Sequence, residues 1–256
     1  MSTRFMSTMR LMFELGMHEL RSQRRETFLG VVWTAVWPLL QAGGFLIAFN
    51  LIRGGNISES ILLAYLGVLV WSTSTMMFTS SLSFFSRNAE MIKHLAFPFH
   101  LVLITDVNIK FVFFALQLLV AAAIYLVMHS VAEPWFAVAS LVVFTVSLYL
   151  ILVAVCWVGS LLGAVIPDLG MALPPILMLL LALSPIFHPD MSVLPREIAI
   201  LNMLNPLSQL VVALHNCIGV YGEVRVPWTM ALVAAASFAL TRFGVRRVYQ
   251  ELAKIV

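Results

Sequence analysis

Residues Trp135–Val165 read WFAVASLVVFTVSLYLILVAVCWVGSLLGAV, 31 positions without one charged side chain and without a proline. Coiled as an α-helix, such a stretch is about 46 Å long, more than the ~30 Å hydrocarbon core of a bilayer. Comparable runs lie on both sides of it. Phe28–Leu51, Ser60–Phe85 and Leu101–Met128 precede it; Met171–Leu183 and Val226–Thr241 follow. The last is short for a bilayer, and Arg242, Arg246 and Arg247 can lengthen it by reaching back to the interface. Across all 256 residues the composition agrees: 61% hydrophobic, 11% charged, with a mean hydropathy of +0.99. A soluble domain carries about 25% charged residues, so a soluble enzyme is excluded. The expected fold is an all-α integral membrane protein with six transmembrane helices in a single domain, 1–256.

Basic residues set the expected orientation. Arg4, Arg10, Arg21, Arg24, Arg25, Arg87, Lys93, Arg242, Arg246, Arg247 and Lys254 fall on one side of a six-span layout; Arg53, Arg196 and Arg225 fall on the other. Lysine and arginine accumulate on the cytoplasmic side, so both termini are expected there. Residues Met1 to Glu26 have no continuous apolar core ahead of their arginines, and no cleavable signal peptide is read there. Residues 1–27 instead mix Met9, Leu11, Met12, Phe13 and Leu15 with Arg10, Glu14 and Glu19, as suits an amphipathic helix lying in the interface. Residues 184–225 hold Pro185, Pro189, Pro195 and Pro206 among apolar side chains, a pattern for short re-entrant helices on the far side. Irregular backbone at membrane depth must be covered by protein or line a water-filled cavity. Asn202, Asn205, Ser208, Gln209, His215 and Asn216 are the expected polar lining there.

The sequence offers little to catalysis. It contains no G-x-x-x-x-G-K-[ST], no H-E-x-x-H and no G-x-S-x-G. Its six histidines never fall three or four residues apart, and Cys156 and Cys217 lack metal-ligand spacing, so packing is the expected role of both cysteines. Metal, cofactor and nucleic-acid binding are therefore not expected of this chain. Asp106 and Lys110 stand one helical turn apart inside the third run, where they can neutralise each other. A proton relay would need further acids deeper in the spans. Any energy source is expected on another polypeptide.

Four short motifs occur in order on this frame. Leu29-Gly30-Val31-Val32-Trp33 leads to Trp37-Pro38 after the arginine-rich segment. Arg87-Asn88-Ala89-Glu90-Met91-Ile92-Lys93-His94-Leu95-Ala96-Phe97-Pro98 follows the second run. Leu183-Ser184-Pro185-Ile186-Phe187 ends the fifth, and Leu204-Asn205-Pro206-Leu207 comes next. In order and spacing these resemble the permease subunits of type-2 ABC exporters of polysaccharide, most closely the O-antigen exporters of the Wzm type. Capsule and teichoic-acid export permeases are near relatives.

The resemblance implies a homodimer in the bacterial inner membrane, with two nucleotide-binding ATPase subunits that hold the ATP and Mg, exporting a lipid-linked polysaccharide. It implies that the 86–99 loop is a coupling helix seated on the ATPase. Met91, Ile92 and Leu95 would pack into its groove, with Arg87, Glu90 and Lys93 at the rim. Aromatic faces suit the C–H faces of sugars, and Trp33, Trp37 and Phe45 in the first span and Trp71 and Phe78 in the second fall on helical stripes. Such stripes equally suit lipid-facing positions. Arg21, Arg24 and Arg25 would gate a lipid pyrophosphate, and Pro185, Phe187, Asn205 and Pro206 would shape the re-entrant cap. An ABC permease for a small drug or lipid is an alternative, and an integral-membrane glycolipid enzyme a different class altogether.

Overall fold

A computed structural model describes residues 32–53, 57–89, 99–129, 133–186 and 195–241. Among these residues the structure is helical and contains no strand. In chain order the helices are α1 Trp33–Arg53, α2 Ile57–Leu82, the single turn α3 Phe84–Arg87, α4 Phe99–Met128 and α5 Pro134–Val165. They continue with α6 Leu169–Ala182, α7 Arg196–Leu204, α8 Pro206–Cys217 and α9 Trp228–Leu240. The amphipathic segment 1–27 and the basic tail fall outside the described residues.

Among the described residues, three stretches are long and apolar enough to cross a bilayer: Ile61–Leu82, Leu101–Met128 and Pro134–Val165. The protein therefore has the character of an all-α membrane protein. Two further expected spans are shorter than that. α6 has 14 residues and α9 has 13, each close to 20 Å of helix against the ~30 Å of a hydrocarbon core. α7 and α8 meet at Asn205 with a bend of 89°, as a broken span or a re-entrant element.

α2 is the axis of the bundle. It packs against α1, α4, α5, α6 and α8, and 56% of its most apolar window is buried, against 33% for α4 and 39% for α5. α4 and α5 accordingly turn apolar side chains outward: Leu116, Leu119 and Val127 are 61–79% exposed on α4, and Val142 and Val146 are more than half exposed on α5. Contiguous apolar surface of this kind is stable against hydrocarbon or another greasy surface, not against water.

The register of the bundle follows from a few cross-helix pairs. Tyr65 and Ser80 of α2 meet Gln117 and Lys110 of α4, so those helices run antiparallel. Met77 and Leu82 of α2 meet Cys156 and Gly163 of α5, so those run parallel. α1 reaches α2 through a three-residue connection and packs along it, which also makes that pair antiparallel. The start of α1, the end of α2, the start of α4 and the end of α5 therefore share one end of the molecule.

Two glycines permit the closest contact. A Cβ on Gly159 would overlap the Ser81 hydroxyl and come within 3.1 Å of the Phe78 ring; one on Gly163 would overlap the Leu82 carbonyl. With glycine at both, the backbone of α5 lies directly against the end of α2. Small residues spaced four apart bring membrane helices together in this way.

Candidate functional site

A cleft of about 520 Å³ lies between α1, α2, α4 and α6. α1 contributes Trp33, Trp37, Pro38 and Gln41, and α4 contributes Ile109, Lys110, Phe113, Phe114 and Gln117. Pro174, Leu177, Met178 and Leu181 of α6 form an apolar wall. α2 provides the back wall from Trp71 to Thr79, with Ser72, Thr73, Thr75 and Met76 between them. Trp71 is 2% exposed and forms the floor, while Trp33 and Trp37 are 41% and 60% exposed at the mouth.

The polar chemistry of the back wall is one-sided. Thr75 Oγ1 donates to the Trp71 and Ser72 carbonyls at 3.0 and 3.1 Å, and Thr79 Oγ1 donates to the Thr75 carbonyl at 2.8 Å. Backbone acceptors hold the hydroxyl protons, so the oxygen lone pairs are left for whatever occupies the cleft. Gln117 Oε1 accepts from Tyr65 at 3.4 Å, and Gln41 Oε1 is buried without a hydrogen-bond partner among the described residues. The cleft thus offers aromatic faces and, on α2, hydroxyl acceptors, beside the Gln41 and Gln117 amides and the Lys110 ammonium, a mixture that a hydroxyl-rich, C–H-faced ligand can use.

At the shared end, one charged group closes the back wall. Lys110 Nζ donates to Asp106 Oδ2 at 2.7 Å and to Ser80 Oγ at 2.7 Å. The side chains of Lys110 and Asp106 are 15% and 21% exposed. Arg87, at the end of α3, donates through Nη2 to Ser80 Oγ at 2.9 Å and to the Ser80 carbonyl at 2.8 Å. Two cations therefore converge on one hydroxyl, with Asp106 bonded to Lys110 beside them.

The residues singled out from the sequence separate in space. Trp33, Trp37 and Trp71 come together in the cleft. Phe78 does not join them: it lies against the Gly159 backbone, between α2 and α5. The side chain of Phe45 lies outside the described residues. So do Arg21, Arg24 and Arg25, Glu90, Met91, Ile92, Lys93 and Leu95, and Phe187. Arg87, expected at the rim of a coupling helix, is exposed and tied to Ser80.

In the bent α7–α8 region Asn202, Asn205, Ser208 and His215 of the expected lining are buried, whereas Gln209 is exposed. Asn205 is the N-cap of α8, its side chain accepting from the Leu207 N–H at 3.1 Å, and Pro206 occupies the first helical turn, where no N–H is needed. Asn202 donates to the Leu183 carbonyl at 2.7 Å and accepts from Ser208 at 2.8 Å. Gln209 donates to the Asn202 carbonyl at 3.1 Å. These side chains supply hydrogen bonds to backbone groups that a sharp break between helices leaves open. Pro185 and Ile186 are buried, and Ile186 fills the space beside Gly67 of α2.

Sequence reading missed Ser80, Gln41 and Gln117, whose positions matter only once α1, α2 and α4 are packed. Gly159 and Gly163 did leave a signal, a G-x-x-x-G spacing within the apolar run Trp135–Val165. No family model matches the chain, and neither does any curated protein.

Proposed function

We propose that this chain is the transmembrane subunit of an ATP-driven exporter of lipid-linked polysaccharide. It works as a homodimer in the bacterial inner membrane, with both termini cytoplasmic and two separate ATPase subunits beneath. The chain itself has no catalytic site. One observation carries the reading: three tryptophans from two helices converge on a cleft whose back wall presents the Thr75 and Thr79 hydroxyl oxygens as acceptors. Sugar hydroxyls can donate to Thr75 and Thr79 while the rings take C–H faces. Such contacts are individually weak, so a polymer can slide through them. The order of motifs along the chain supports the same assignment.

The test is export by a strain carrying Trp33→Ala and Trp37→Ala together. Both side chains are largely exposed, so insertion and folding should survive. Surface polysaccharide is expected to fall about tenfold, in line with ~1 kcal/mol or somewhat less from each aromatic contact. Wild-type export by the double variant, or export without any partner ATPase, overturns the proposal.

A second reading has its own support. The cleft volume lies within the range of small-molecule sites, which suits a permease for a compact amphiphile. Drug or lipid efflux with unchanged surface polysaccharide in a deletion strain would select it.

A further inference from the structure

We propose that Lys110 and Arg87 form a phosphate site at the end of the cleft, and that its ligand is the phosphate or diphosphate headgroup of a lipid. Ser80 Oγ accepts from Lys110 at 2.7 Å and from Arg87 at 2.9 Å. Two like charges are thus held together by one neutral hydroxyl, and among the described residues Asp106 is the single carboxylate bonded to either cation. The local surplus is one positive charge in a setting where lipid-facing helices lower the dielectric. An anion of two charges bridging both cations would relieve that repulsion, which a hydroxyl cannot do. A guanidinium fork and an ammonium are also the two side-chain groups best suited to phosphate oxygens.

Placement argues for a lipid rather than a free ion. Lys110 lines the cleft, whose α6 wall offers Leu177, Met178 and Leu181 to a hydrocarbon chain. Trp33 lies at the same end, because α1 and α4 both run antiparallel to α2. A headgroup at Lys110 and Arg87 would therefore leave its tail against an apolar wall and an exposed indole. That the lipid is the carrier of a glycan rests on the export reading; the anion site does not.

The experiment uses the full-length chain in nanodiscs of neutral lipid, with binding of a radiolabelled isoprenoid diphosphate measured by scintillation proximity. The matching isoprenoid alcohol and soluble pyrophosphate serve as competitors. Saturable binding is expected, displaced poorly by the alcohol and by soluble pyrophosphate. Lys110→Met and Arg87→Gln should each weaken it about tenfold, the loss of one charge-assisted bond. Asp106→Asn should tighten it, because the competing carboxylate is gone; a pair serving structure alone would not respond in that direction. Lys110→Arg should retain binding and guards against a folding defect in the Met variant.

Equal competition by the alcohol would overturn the site. So would Lys110→Met binding at wild-type affinity, or Asp106→Asn binding no more tightly while remaining folded. Pyrophosphate competing as well as the lipid would overturn the lipid assignment and leave a free-phosphate site. Because the readout is binding without ATPase or export, a failure here leaves the export proposal standing. Loss of the export proposal likewise leaves the measured site intact.

Discussion

Replacing Gly163 with alanine adds one methyl group where α5 crosses the end of α2. That Cβ would overlap the Leu82 carbonyl oxygen and approach the Leu82 carbonyl carbon and Cα. A side chain could rotate away from the intruder, but the backbone cannot, so the helices must separate or shear. Overpacking a filled contact costs about 1–3 kcal/mol, and a backbone obstacle belongs at about 3. Alanine returns about 1 kcal/mol through helix propensity, leaving a net loss near 2. For a chain of this size each kcal/mol moves the melting temperature by about 2–4 °C, so Gly163→Ala should melt roughly 4–8 °C lower in detergent or nanodiscs. Gly44→Ala is the matched control: it lies in the interior of α1, and a Cβ there meets nothing within 4 Å. That variant should melt at or above the wild-type temperature. If Gly163→Ala matches the control, the close crossing of α2 and α5 is wrong.

The remaining expectations concern the bent region. Asn202→Ala removes the donor to the Leu183 carbonyl and the acceptor for Ser208, both partly or wholly buried, and should cost about 2 kcal/mol. Hydrogen exchange should show the loss as faster exchange across 195–217, and unchanged protection there would count against the bonds. Gly67→Ala sets a methyl 2.9 Å from Ile186 Cγ1, so it should destabilise by about 1 kcal/mol or more. Adding Ile186→Ala should make the pair of changes less costly than their sum in a melting-based double-mutant cycle; strict additivity would refute the contact.

How much of this could be read from the sequence depends on whether a feature is carried by one helix or several. The long runs announced themselves: Leu101–Met128 is the apolar core of a helix that begins at Phe99, and Trp135 to Val165 differs from α5 by one residue at its start. The runs Met171–Leu183 and Val226–Thr241 likewise match α6 and α9 within two residues at each end. The Lys110–Asp106 pair was visible too, being one turn apart on one helix. Asn205, expected as polar lining, instead caps α8, and Pro206 opens that helix where no N–H is needed.

Side-chain direction on α2 was the least legible feature, and the cause is its central position. A helix with one greasy face reports that face through its period; one surrounded by α1, α4, α5, α6 and α8 is apolar on every side, and the period carries no direction. Trp71 and Phe78, two turns apart, share nearly the same angle on a helical wheel, yet one floors the cleft and the other packs on Gly159. What separates them is the close approach of α5, made possible by Gly159 and Gly163, the residues with no side chain for hydropathy to weigh. The same approach fixes the end of α2 from which α3 departs, and Arg87 reaches Ser80 from there. The convergence of Arg87 and Lys110 on one hydroxyl is thus a consequence of helix crossing. It follows that Gly163→Ala should weaken diphosphate binding although it touches neither cation, whereas Asn202→Ala, of comparable cost to stability, should leave that binding unchanged.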